Sequence, residues 1–179
     1  MKNIYKDKLE NVKTAPTSER YFRTLLNIQQ EDMKELYCIP FRATLYTKLR
    51  SFQFKINHNI LYTSEKLFRV GIKSSPLCTF CKQYTETLSH LFVECRKIET
   101  LWNEVKHNLL KPYGIKSLQN KDIILGINTN ENVNTVVNHI IIETKYYIYL
   151  CMLNEEQPIY RRLKYRMKIT EEIERHIAH

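Results

Sequence analysis

At 179 residues and 43% hydrophobic content, the chain is long enough to bury a core and too apolar to be disordered. Its formal net charge of +9 favours phosphate-bearing partners, and no run of about 20 apolar residues exists to cross a membrane. Five cysteines without an apolar leader argue against a disulfide framework and for a reducing compartment, nucleus or cytoplasm.

Glycine (3) and proline (5) are too scarce for the frequent turns of a β-rich fold, so the expected class is mostly all-α. Residues 1–13 read as a charged helix or loose arm. A helix is expected from about Ser18 to Leu36, where Tyr21, Phe22, Leu25, Leu26, Ile28 and Met33 recur at near-helical spacing. Pro40 marks a break. From Thr44 to Leu61, Leu45, Leu49, Phe52, Ile56 and Ile60 share one face of an amphipathic helix, with Lys48, Arg50 and Lys55 opposite. Ser64 is placed to cap a short helix, Glu65 to Val70, which Gly71 would stop.

Thr87 to Cys95 reads as helical, and so does Ile98 to Leu110 with Leu101, Trp102 and Val105 inward. Lys111 to Gln119 is a loop. Ile123 to Ile127 is a short apolar run that periodicity cannot assign to strand or buried turn. An Asn-rich loop, Asn128 to Asn134, precedes the most apolar helix, Val136 to Leu153, expected at the centre of the core although Asn138, His139, Glu143, Thr144 and Lys145 interrupt it. Pro158 opens a final basic amphipathic segment.

The chemistry concentrates in Cys78, Cys81, His90 and Cys95, spaced C-x2-C-x8-H-x4-C. Structural zinc takes four sulfur or imidazole ligands in a tetrahedron. A C-x2-C turn supplies two of them. His90 and Cys95 are five apart and converge if Cys95 sits where its helix ends. Four good ligands leave no open position for water, so the expected cofactor is one structural Zn2+ and the fold a helical domain with an embedded knuckle-plus-helix. A redox C-x-x-C would not need His90 and Cys95, and no βαβ pattern precedes it. Glu86 and Glu94 read as solvated helix positions, and Cys38 and Cys151 as core residues.

Around the cluster the charge is one-sided. Between Arg42 and Lys73 stand Arg42, Lys48, Arg50, Lys55, Lys66, Arg69 and Lys73 against the single Glu65. Lys48 and Lys55, seven apart, share a helix face, as a surface that neutralises phosphates requires. Lys82, Arg96 and Lys97 extend the patch around the zinc ligands. Arg42, Lys48, Arg50, Lys55, Arg69, Lys73, Lys82, Arg96 and Lys97 are therefore the expected nucleic-acid contacts. Phe80 either stacks on a base or packs inward. Tyr160, Arg161, Arg162, Lys164, Tyr165, Arg166 and Lys168 form a second basic stretch, equally readable as a contact or a solvated face.

The stretches IPFRATLYTKLRSFQFKINHNIL, SEKLFRVGIKSSPLCTFC and ETLSHLFVECRKIETLWNEV resemble the zinc-binding domain located after the reverse transcriptase of non-LTR (LINE-type) retrotransposons. The tail, ILGI and then ETKYYIYLCMLNEEQPIY, is similar to the segment downstream of that domain, so the resemblance spans roughly residues 34–165. It implies zinc ligation by Cys78, Cys81, His90 and Cys95. It implies RNA template or target DNA as partner, and possibly the polymerase parts of the same element. The chain is expected to divide into three parts: an N-terminal helical arm (1–36), a reverse-transcriptase-type zinc-binding domain (37–110) and a C-terminal helical region with a basic tail (111–179). No Tyr/Phe-x-Asp-Asp tetrad is present, and Asp7, Asp32 and Asp122 are the only Asp residues. The expectation is a non-catalytic piece detached from such a polymerase. The rival expectation is a zinc-stabilised protein–protein interaction domain.

Overall fold

The structure, a computed structural model, describes residues 17–127 and 132–178. The readings for residues 1–13 and for residues 128–131 lie outside them. Among the described residues the fold is helical, without strands; its one β-type pairing is an isolated antiparallel bridge between Leu77 and Thr85.

Two helices, α1 (Thr17–Leu26) and α2 (Gln30–Ala43), replace the single helix expected to Leu36. Asn27 separates them at φ 51, a left-handed conformation that Asn tolerates better than most residues. Ile28 then turns into the core. Pro40 does not break the chain but lies inside α2. Its missing N–H frees the carbonyl four residues back, Leu36 O, and the buried Asn57 side chain donates to that oxygen at 3.4 Å. The lost bond is thus replaced from the next helix.

That next helix, α3, runs Thr47–Asn57, shorter than the expected Thr44–Leu61. Leu49, Phe52 and Ile56 are buried as the spacing requires, but Leu45 and Ile60 fall outside the helix and are exposed. The turn before α3 is held from the far end of the chain. Glu174 accepts from the Thr44 hydroxyl, from Leu45 N at 2.9 Å and from Tyr46 N at 3.1 Å. Helix α4 (Ser64–Arg69) follows, and Gly71 at φ 75 stops it as expected.

Beyond the cysteine segment come α5 (Arg96–Val105), which continues through a π-helical turn to Leu110, and α6 (Asn120–Leu125). The apolar run Ile123 to Ile127 is therefore mostly helix, started by a reciprocal capping box between Gln119 and Asp122. Gly126 closes it at φ +100, where a Cβ would stand 2.8 Å from Asn138 Oδ1.

Helix α7 (Asn132–Leu153) is the central element. It buries Val137, Ile141, Ile142, Tyr147, Ile148, Cys151 and Met152, and also Asn134, Asn138, Glu143, Thr144 and Lys145. Burial on nearly every side explains why its sequence is apolar all round rather than in one stripe. Lys145 is fully buried and donates to Gln53 Oε1 and Ile124 O, both at 2.6 Å. Burial holds its pKa well below the ordinary lysine range. Helix α8 (Tyr160–Ile177) packs its Leu163 and Thr170 inward. One apolar cluster runs from Phe22 to Leu163 and includes Cys78, Phe80, Leu91, Phe92 and Cys95. Cys151 belongs to it, but Cys38 is exposed, because it lies off the Met33, Leu36, Ile39 and Ala43 stripe that α2 buries.

Candidate metal centre

The knuckle begins at the Leu77–Thr85 bridge, which brings the two arms of a tight loop together. Cys78 N donates to Tyr84 O at 2.7 Å, and Lys82 N donates back to Cys78 O at 2.9 Å. Lys82 takes φ 56, the left-handed turn that lets the chain reverse directly after Cys81. Backbone N–H groups of Phe80 and Cys81 point at the Cys78 sulfur, and that of Lys97 at the Cys95 sulfur. Such donors stabilise thiolates.

The other two ligands come from one helical turn. Thr87 starts it, its hydroxyl accepting from His90 N at 3.0 Å. From His90 to Glu94 the turn is π-helical, closed by a bond from Cys95 N to His90 O at 2.9 Å. A π turn spans five residues, so a histidine and a cysteine five apart close one turn. Cys95 then leaves the helix with extended backbone (φ −69, ψ 117) and begins α5. The x4 spacing between ligands is thus the width of this turn. Trp102 of α5 locks it by donating Nε1–H to Phe92 O at 2.9 Å. That gives the Trp seven residues past the last ligand a physical role.

The result is a compact ligand set. The four donor atoms of Cys78, Cys81, His90 and Cys95 all lie within 4.8 Å of one another. Cys78 Sγ and Cys95 Sγ are 3.8 Å apart, and Cys81 Sγ is 3.3 Å from His90 Nε2. Zinc–sulfur bonds of about 2.3 Å give a tetrahedron edge of about 3.8 Å, so these separations fit the ion. Cys78, His90 and Cys95 are buried and Cys81 is half-buried. Without metal, the Cys95 contact and burial push the Cys78 thiol far up, while the same contact lowers Cys95. Two sulfurs this close share a proton, and a bound zinc replaces it.

Glu86 corrects the sequence expectation of a solvated carboxylate. It is fully buried. Its Oε1 accepts from Ser64 N at 2.8 Å and from the Ser64 hydroxyl at 2.6 Å, and its Oε2 accepts from Thr79 N at 2.7 Å. Ser64 is thus the first residue of α4 rather than its cap, and one carboxylate ties the start of α4 to the knuckle between its cysteines. Glu94 is exposed and accepts from Ser89 Oγ at 2.6 Å.

Residues 17–102 match the protein family described as zinc-binding in reverse transcriptase. The match covers a little under half of the chain and makes this segment similar to a reverse-transcriptase zinc-binding domain. No curated protein and no solved structure matches the chain. The family is an accessory zinc-binding one rather than a catalytic one, and its expected ion fits the Cys78–Cys81–His90–Cys95 cluster.

The basic residues sort into two groups. Arg42 is ion-paired with Glu35 at 3.1 Å, and Arg69 with Glu65 at 2.6 Å. Arg50 is half-buried and donates to Thr44 O and Phe41 O, covering the end of α2. Lys73 donates to Ser64 Oγ at 2.9 Å, beside the Glu86 clamp. These four have local partners. Lys48, Lys55, Lys82, Arg96 and Lys97 are exposed, and none of them is in an ion pair among the described residues. Arg96 lines a cavity of about 270 Å³ with Tyr84, Gln83 and the ligands Cys81 and His90. Phe80 is buried in the core, so of its two readings packing holds. In the tail, Arg162 pairs with Glu156 at 2.7 Å, and Arg166 lies over the Tyr146 ring.

Proposed function

We infer that the chain is a zinc-stabilised nucleic-acid-binding module of reverse-transcriptase origin, without catalytic activity of its own. The observation that carries this reading is the group of cations outside any ion pair at the metal centre. Lys82 projects from the knuckle turn, and Arg96 and Lys97 stand at the first turn of α5, directly after the last ligand. Zinc closes both segments onto one point, so the metal sets the geometry of the cations. A net charge of +9 extends the favourable field beyond them. RNA template and target DNA are both partners of suitable chemistry.

The test is a titration of zinc-loaded protein against labelled RNA and DNA at several salt concentrations. Tight binding with a steep fall of log K against log salt is expected. The triple variant Lys82→Ala, Arg96→Ala, Lys97→Ala should weaken binding to all sequences and make the slope shallower by about two to three. Folded, zinc-loaded protein that retains neither RNA nor DNA at low salt overturns the reading.

One observation favours a second reading, a protein-docking domain. Exposed Phe41 and Phe54 line an apolar cavity of about 220 Å³ with Tyr37, Pro40 and His58. Retention of an acidic protein partner, with no nucleic acid bound, would favour it.

A further inference from the structure

Away from the zinc, a groove of about 720 Å³ lies between α3, the Ile60–Tyr62 segment and α7. That volume is within the range of about 300–1,000 Å³ typical of small-molecule sites. Its floor is aromatic. Phe52 is buried, with ring centroids 5.1 Å from Tyr146 and 5.6 Å from Tyr149, both half-buried and facing the groove. Tyr62 is 59% exposed at one side. Lys48 and Lys55 stand along the other, two turns apart on α3 and so separated by about 10 Å along its axis. Among the described residues no carboxylate lines the groove.

The geometry points to a single-stranded nucleic-acid segment as the occupant of this groove, its bases stacked on the tyrosines and its phosphates met by Lys48 and Lys55. The inference rests on the nucleic-acid reading above and deepens it. An aromatic face accepts any base, and each stacked base contributes about 1–3 kcal/mol. A lysine edge without acidic neighbours complements a phosphate chain and repels a basic one. Ile60 and Leu153 add exposed aliphatic surface to the groove, so apolar faces for bases stand beside the ammonium groups that would meet their phosphates. Duplex bases are already stacked on each other and cannot enter. The groove therefore selects unpaired over paired strands, which the cations around the zinc, as phosphate contacts, do not.

The experiment uses the full zinc-loaded chain, a labelled ten-nucleotide oligouridylate and a duplex of equal length. Tyr62 is exposed, so Tyr62→Ala leaves packing intact, as does the pair Lys48→Ala, Lys55→Ala. Tyr62→Ala should lose at least about fivefold in affinity for the single strand, with duplex binding unchanged, and Tyr62→Trp should restore it. In the wild-type chain, a 4-thiouridine probe should crosslink to Tyr62, Tyr146 or Tyr149, a readout that needs no variant. Wild-type-like single-strand binding by both variants, or crosslinks confined to other surfaces, overturns the groove assignment while nucleic-acid binding stands. Loss of self-association rather than of single-strand binding in Tyr62→Ala gives the groove to a second copy, and also overturns it. Failure of the wild-type chain to bind either probe at low salt removes the underlying reading as well.

Discussion

Between Pro76 and Cys95 the backbone has one isolated bridge, a few turn hydrogen bonds and four ligand atoms gathered within 4.8 Å. Between α2, α3 and α7 there is no such point of convergence. Leu36, Ile39, Leu49, Phe52, Ile56, Ile141 and Ile148 are buried against one another, and the polar groups among them answer each other: Asn57 to Leu36 O, Gln53 to Asn57, Lys145 to Gln53. The first region is arranged to hold an ion; the second is held by apolar area and by hydrogen bonds between buried polar side chains. A knuckle too short to bury enough surface needs the metal, and packed helices do not. The two should therefore come apart under metal removal.

The largest effect expected is that of Cys95→Ser. Structural zinc contributes on the order of 10–16 kcal/mol of apparent binding energy in small fingers. Losing one thiolate should bring zinc content well below one per chain and abolish hydrogen-exchange protection from Pro76 to Trp102. Protection of α7 should largely persist. Unchanged metal content in the variant would show the ligand assignment to be wrong. Collapse of α7 together with the knuckle would show that the two regions are not separable.

Glu86→Ala probes the joint between them. The carboxylate answers two backbone N–H groups and one hydroxyl, all buried, and hydrogen bonds to a charged group are worth about 1.5–3 kcal/mol each. A loss of about 3–5 kcal/mol in unfolding free energy is expected by denaturant titration, together with weaker zinc retention against a chelator. A loss below about 1 kcal/mol would mean that α4 and the knuckle hold their places independently.

Gly126→Ala tests the helical core without touching the metal. A Cβ there meets Asn138 Oδ1 at 2.8 Å and Ile39 Cδ1 at 3.0 Å, at a φ of +100 that L residues rarely adopt. Asn138 is fixed by two bonds to Ile127, so it cannot move aside freely. Destabilisation of about 1–3 kcal/mol is expected with zinc content unchanged, read as a lower thermal midpoint at full metal occupancy.

The metal centre was the most legible part of the sequence because ligand chemistry is local: four residue types at fixed spacing specify the ion, and the x4 interval even encodes the turn that carries it. The helical class was legible from composition and periodicity. What sequence reasoning missed depends on partners distant in the chain. Pro40 reads as a break because its replacement donor, Asn57, is 17 residues away. Glu86 reads as a solvated charge and Lys145 as an interruption of an apolar run, and nothing in their neighbours announces the Ser64 and Gln53 groups that receive them. Ile123 and Ile124 lacked a period in so short a run, though Gln119 and Asp122 at capping spacing were a usable signal for helix. The Tyr146–Tyr149 floor of the groove was hidden in the apolar run of α7, since only the packing of Phe52 shows which side of that helix is open.

Glu143 gives the finest test of how the two regions differ, because it is a carboxyl that the helical core buries. It lies on α7, facing Thr170, His139, Arg166 and Glu174. Burial raises its pKa above the ordinary carboxylate value, and Glu174 adds to the rise; Thr170, His139 and Arg166 offset part of it. A carboxyl whose pKa is raised by folding contributes stability in acid, and that contribution is lost as pH rises through the folded-state value. Above that value the contribution is gone. Glu143→Gln, neutral at every pH, should therefore raise the thermal midpoint most at alkaline pH. That gain should shrink towards zero as pH falls to the ordinary glutamate range, where the wild-type carboxyl is protonated as well. Taking the difference between variant and wild type at each pH cancels the acid loss of zinc, which both share. A gain that stays constant with pH would mean that the amide improves packing alone. A decrease at alkaline pH would mean that Arg166 holds the carboxylate as a true ion pair, and that the helical core answers every charge it buries.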